Sequence, residues 1–140
     1  MTELDIFMLQ AQSTQGTGAY QIAMAFTIWV AFRVAGVAGR EHGDNILAKL
    51  AASVFGLGAL FYLNMTYAFY SFNMAGTGHR LAELQASGTE LSAMATNYVA
   101  SLGATTTPPS FSLIPADPIM IAFEASILLL ILVPIWGSKK

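Results

Sequence analysis

The sequence predicts an all-α integral membrane protein with three transmembrane helices and an amphipathic helical segment in the second, outer loop. Three observations predict this. Hydrophobic residues make up 55% of the 140 residues and charged residues only 10%, whereas a soluble domain carries roughly 25%. Three segments are each apolar over the about 20 residues that a helix needs to cross a hydrocarbon core of about 30 Å. The basic residues fall almost entirely on one side of the resulting arrangement. The chain, 1–140, reads as one transmembrane domain. Its net charge of -2 is small and scattered, which argues against a nucleic-acid partner. With no cysteine there is no disulfide framework, thiolate nucleophile or cysteine-held metal.

At the N-terminus, Thr2-Glu3-Leu4-Asp5 can cap a short helix. Its apolar residues Leu4, Phe7, Met8 and Ala11 suit an element lying along the outer interface. Span one covers about 19–39 and carries a single charge, Arg33. Span two starts near Ile46 and runs to about Ala75, where Gly76-Thr77-Gly78 reads as a breaker. Its length, about 45 Å at 1.5 Å per residue, requires tilt or protrusion. In the segment of about 80–103, Leu81, Leu84, Gly88, Leu91, Ala95, Tyr98 and Leu102 recur at steps of three and four. This gives one amphipathic helix, or a pair broken at Gly88, and the capping box Ser87-Gly88-Thr89-Glu90 favours the break. A Thr/Pro connector, 104–117, is held extended by Pro108, Pro109 and Pro115. Span three covers about 118–136, with Asp117 as N-cap, Pro118 in the first turn and Pro134 bending or ending the last. Its single charge is Glu124.

Orientation follows from charge. Arg33, Arg40, Lys49, Lys139 and Lys140 belong to one side, and Arg80 alone to the other. The first side is therefore expected to be cytoplasmic, with the N-terminus outside, the C-terminus inside, and a plasma or inner membrane as the location. The first eighteen residues hold no Lys or Arg, so they do not read as a secretory signal.

Small residues mark the packing faces. Ala31, Ala35 and Gly39 in span one, and Ala48, Ala52 and Gly56 in span two, recur every fourth position. Such rows let helix backbones approach closely, which predicts a tight antiparallel hairpin. They pack within one chain or form a face for a second one. Arg33 points roughly opposite Ala31 and Ala35, with Trp29 beside it. The pair is either covered by another helix or protein, or Arg33 snorkels to the interface.

Candidate chemistry is sparse. Ser53, Asn64, Tyr67 and Ser71 form a polar stripe on span two, among Phe61, Tyr62, Phe69, Tyr70 and Phe72. The stripe supplies inter-helix hydrogen bonds beside an aromatic belt, or a pocket for a lipid, quinone or pigment headgroup. Glu124 lies about two turns inside span three, a position that costs a few kcal/mol unless the acid is paired or protonated. It can share a depth with Asn64, and it serves either as a hydrogen-bonded structural acid or in proton or cation handling. His42 and His79 fall on opposite sides of the membrane, so they cannot both ligate one haem, although one could supply a single axial ligand. Walker, HExxH, GxSxG, dinucleotide and EF-hand patterns are absent.

These readings lead to a small non-catalytic membrane subunit that packs through its small-residue faces with itself or a larger membrane complex, in a lipid bilayer. The alternatives are an oligomeric ion or small-molecule transporter or channel using Glu124, and a haem- or quinone-holding membrane anchor. The expectation on cofactors is that none is bound.

Overall fold

The structure is a computed structural model that describes residues 1–137. The described chain is all-helical: α1 (Glu3–Arg40), α2 (Ile46–Ala86), α3 (Ala93–Leu102) and α4 (Pro118–Trp136). Three of these, α1, α2 and α4, are long and apolar enough to cross a membrane. The chain is thus an integral membrane protein by helix length and composition. Lys139 and Lys140, used above for orientation, lie outside the described residues.

The first two helices are longer than their apolar spans. α1 has 38 residues, about 57 Å, and α2 has 41, about 62 Å, against a hydrocarbon core of about 30 Å. The predicted short N-terminal helix is the first part of α1. Thr2 and Asp5 cap it reciprocally: Asp5 N donates to Thr2 Oγ1 at 3.3 Å, and Thr2 N donates to Asp5 Oδ2 at 2.8 Å. Nothing between Thr14 and Ala19 ends the helix, because no proline interrupts it. Thr17 satisfies its own hydroxyl on the Ser13 carbonyl.

Gly76-Thr77-Gly78, expected to stop span two, lies inside α2. A Cβ at Gly78 would meet Ala104 Cβ at 2.8 Å and Leu102 Cδ1 at 3.3 Å. The glycine there admits a neighbouring segment and does not break the helix. α2 ends instead at Ala86, and Gly88 turns the chain at φ 89, a left-handed conformation that glycine adopts without a Cβ clash. The segment 80–103 is therefore split, with the N-cap at Ser92 rather than Ser87. Ser92 Oγ accepts from Ala95 N at 3.2 Å, while Ser87 Oγ donates to the Leu84 carbonyl. Gly103, at φ 58, closes α3.

The chain divides into two compact units, which share the long helices. The first comprises Met1–Ala19 and Ala68–Ser112. Its core is Ile6, Leu81 and Ala95, flanked by Phe7, Leu84, Leu91, Tyr98 and Val99. The N-terminal helix turns Ile6 inward at 1% exposure, whereas Leu4, at 67%, and Met8 point outward. Of the apolar residues expected on one face, Phe7 packs on this core, while Leu4, Met8 and Ala11 are exposed. Polar contacts join the segments of this unit. Ser92 N and Oγ donate to the Glu3 carboxylate at 2.9 and 2.6 Å, and Gln10 Nε2 donates to Tyr98 Oη at 2.7 Å.

The second unit comprises Tyr20–Tyr67 and the chain from Leu113 onward. Asn45 opens α2 by accepting from Leu47 N and Ala48 N, both at 3.1 Å. Its core combines Ile28, Ala31, Ala35 and Ala38 of α1, Ala52 and Ala59 of α2, and Ile127, Ile131 and Ile135 of α4. The isoleucines recur at i, i+4, so they form one ridge along α4. Small residues on two helices leave the groove that this ridge fills.

Candidate functional site

The second unit holds most of the sequence-predicted site residues. Their levels follow from two contacts between α2 and α4 and one between α2 and the connector that leads into α4. Trp136 Nε1 donates to Ser53 Oγ at 3.0 Å. A Cβ on Gly56 would lie 2.5 Å from Ile131 Cγ2. Asn64 Nδ2 donates to the Leu113 carbonyl at 2.8 Å. The two helices are therefore antiparallel, and a step forward on one matches a step back on the other.

The small-residue rows are occupied inside the chain. Ala31, Ala35 and Ala52 are buried and Ala48 is half-buried. At Gly39 the backbone runs against the Pro134 carbonyl so closely that a Cβ would overlap it. The sequence suggests that the α1 and α2 rows meet each other, yet the atoms nearest both Gly39 and Gly56 belong to α4. The third span, whose large isoleucines gave no periodic small-residue signal, completes the packing.

Asn64 and Glu124 come to the same level. Asn64 lies eight residues from Gly56 and Glu124 seven from Ile131 in the antiparallel register. Asn64 Oδ1 and Glu124 Oε1 are both enclosed without a hydrogen-bond partner among the described residues. No hydrogen bond joins Glu124 to Asn64 or Tyr67 among the described residues. Asn64 uses its amide on Leu113, at the end of the connector, a role that wheel geometry on span two alone could not reveal.

Tyr67 lines a different feature, a cavity of about 510 Å³ walled by α1, α2 and α4. Gln21, Phe32, Leu63, Phe123, Ser126 and Leu130 are among its lining residues. Sequence reading missed Gln21, which lies on the same helix face as Ala25 and Ile28 at steps of four and three. Of the polar stripe, Ser53 serves Trp136 and Asn64 serves Leu113, so the four stripe residues act separately. Ser71 belongs to the first unit, where with Tyr70, Met74, His79 and Thr105 it lines a cavity of about 440 Å³.

Arg33 and Trp29 are exposed on α1, as the wheel predicts. α4 does not cover them. Phe26 stacks on Trp29 with ring centroids 5.6 Å apart, and Ile22, 76% exposed, continues the same face. The stripe Ile22, Phe26, Trp29, Arg33 alternates steps of four and three, the spacing of a helix-docking seam.

In the first unit, His79 Nδ1 lies 3.0 Å from the Thr105 carbonyl. A carbonyl only accepts, so this nitrogen carries the hydrogen. Nε2 lies 3.5 Å from Glu83 Oε1, a contact that becomes an ion pair only when the ring carries both hydrogens. Hydrogen bonds from Ser92 hold the Glu3 carboxyl below the usual range, and bonds from Thr2 do the same for Asp5. Burial pushes the Tyr98 phenol upward, which keeps it a neutral partner for Gln10 and for the Met74 carbonyl, to which it donates at 3.3 Å.

In comparisons with known proteins, no family model, no curated protein and no solved structure matches the chain.

Proposed function

We propose that the protein is a small non-catalytic membrane subunit that docks with a second copy of itself or with a larger membrane complex. One observation carries this reading. Arg33 is exposed on α1, seven residues inside the end of the helix at Arg40, on the face that also presents Trp29 and Phe26. A guanidinium turned to lipid costs a few kcal/mol unless it snorkels or pairs. A partner helix offering a carboxylate or free carbonyl satisfies it, and the rings beside it supply contact area. Because the small-residue rows are consumed within the chain, the docking face is this aromatic and cationic one.

The proposed orientation has the N-terminus outside and the turn between α1 and α2 in the cytoplasm, in a plasma or inner membrane, on the asymmetry of Lys and Arg. α3, with Met94 and Leu102 exposed, then lies on the outer membrane surface or on the partner.

Native mass measurement of the full chain extracted in mild detergent tests the docking. The expected species is heavier than one chain, and Arg33→Glu or Trp29→Ala shifts it to the monomer while the helical spectrum is kept. A wild-type monomer in every mild detergent refutes the reading.

A second reading, proton or cation handling in an oligomer, rests on the enclosed oxygens of Asn64 and Glu124 at one level. Glu124→Gln would keep assembly and abolish an ion flux into vesicles, whereas an unchanged flux, or none in the wild type, excludes that reading.

A further inference from the structure

The cavity of the second unit has a direction. Gln21 lies nineteen residues before the end of α1 at Arg40, and Tyr67 twenty-one after the start of α2 at Ile46. Across the short turn these two are level. Tyr67 lies eleven residues from Gly56, and Met120 eleven from Ile131 in the opposite sense, so Met120 shares that level too. It falls in the first turn of α4, two residues after Pro118. From there the cavity follows α1 to Phe32 and α4 to Leu130, about 15 Å at 1.5 Å per residue.

The two ends differ chemically. Gln21 and Tyr67 stand at the end nearest the start of α4. Neither side chain makes a hydrogen bond among the described residues, although a polar group left unpaired in hydrocarbon is costly. The remainder is walled by Ala25, Ile28, Phe32, Leu63, Ile127 and Leu130. Ser126 also lines it, but its hydroxyl is committed to the Phe123 carbonyl at 2.6 Å. No charged side chain lines the cavity.

We propose that this cavity is a lipid site, in which the acyl chain of a bilayer glycerolipid lies between α1, α2 and α4 and its ester carbonyl accepts hydrogen bonds from Tyr67 and Gln21. Three features select this ligand. The polar pair stands level with the first turn of α4, where the apolar span of that helix begins, which suits ester groups and not the bilayer centre. Both side chains can donate to one oxygen, which has two lone pairs. The absence of charge in the walls requires the enclosed portion to be neutral, with the phosphate left outside. A quinone fits less well, because its second carbonyl would fall deeper, among Ile28 and Leu63, where no free donor waits.

The test uses the full chain, exchanged through mild detergent and then offered micellar palmitoyl-oleoyl phosphatidylglycerol, with bound lipid counted by native mass spectrometry and by ester analysis. The expected result is one glycerolipid retained per chain. Tyr67→Phe, which keeps the ring, and Gln21→Leu should each lower retention about fivefold, the equivalent of one hydrogen bond. Ala25→Phe, which fills the cavity, should abolish it. If Ala25→Phe does not fold, as its helical spectrum would show, Tyr67→Phe decides alone. Wild-type protein that retains no glycerolipid, retention that ignores Tyr67→Phe and Gln21→Leu, or a quinone retained in the lipid's place overturns the assignment.

Discussion

Replacing Gly39 by alanine adds one methyl group, and the structure fixes where it goes. The new Cβ would overlap the Pro134 carbonyl oxygen and lie 2.8 Å from its carbon. Both are backbone atoms of α4, so no rotamer change relieves the contact and the helices must separate. Overpacking of this kind costs typically about 1–3 kcal/mol. Alanine returns about 1 kcal/mol through its helix propensity, which leaves a net loss of up to about 2 kcal/mol, and the rigid backbone contact places this site toward that upper end. Gly56→Ala is the graded comparison. Its Cβ would lie 2.5 Å from Ile131 Cγ2, a fully buried methyl on a β-branched side chain with little rotamer freedom. Gly58 has nothing within 4 Å of its would-be Cβ, so Gly58→Ala should be neutral or slightly stabilising. The assay is equilibrium unfolding by SDS in mixed micelles. It is followed by the fluorescence of Trp136, which is packed on Ser53, in a Trp29→Phe background. The expected order of stability is Gly58→Ala at or above wild type, then Gly56→Ala, then Gly39→Ala. If Gly39→Ala unfolds at the wild-type SDS fraction, α1 and α4 do not approach at this point.

Three further outcomes are expected. Because hydrogen bonds from Ser92 lower the pKa of Glu3 from its ordinary 4.5, their contribution is present above that value and lost as pH falls through the folded pKa. The protection of α3 amides relative to their intrinsic exchange rates should therefore fall on acidification below about pH 4.5, and Glu3→Gln should flatten that dependence. Ala52→Leu, at a site 4% exposed in the core, should lower stability in detergent by about 1–3 kcal/mol, while Ala→Leu at exposed Ala51 should not. A cysteine at Glu90 should react with a membrane-impermeant maleimide added outside intact cells, and one at His42 should be spared; the reverse pattern inverts the orientation.

The spans were legible because apolar length is read directly from composition, and α4 shows this best: its N-cap at Asp117, its start at Pro118 and its end at Trp136 agree with the sequence. The ends of α1 and α2 were not legible, for a specific reason. Glycines at 16, 18, 76 and 78 look like punctuation in a string of letters, yet a glycine inside a helix costs only about 1 kcal/mol. Whether the helix continues is decided by what packs there, and at Gly78 that is Ala104, twenty-six residues away. Site residues divide the same way. Arg33 and Trp29 follow from the angle between residues on one helix. The level shared by Asn64 and Glu124, and the cavity joining Gln21 to Tyr67, depend on the register between helices, and that is set by Gly56 against Ile131.

The two units also differ in the contacts that hold them. In the first, polar side chains bind one segment to another: Glu3 to Ser92, Gln10 to Tyr98, and His79 to the Thr105 carbonyl. Its apolar core is small. Several of these groups are exposed to solvent, where such bonds exchange with water and add little net stability each, about 0.5–1.5 kcal/mol. They select one arrangement of short segments. In the second unit Thr27 and Ser126 bond to carbonyls of their own helices, which removes polarity from lipid without joining anything. Ser53 likewise donates to the Lys49 carbonyl while also accepting from Trp136 of α4. Contact between its helices rests mainly on alanine, glycine and one isoleucine ridge, with the Trp136–Ser53 bond beside them. Close packing of small residues is the association that remains available when lipid supplies no hydrophobic incentive. α1 and α2 each run through both kinds of construction on one continuous helix. Arg33 is the group that fits neither as it stands, exposed on a lipid-matched helix with aromatic rings beside it, and so it is the first residue at which to look for a partner.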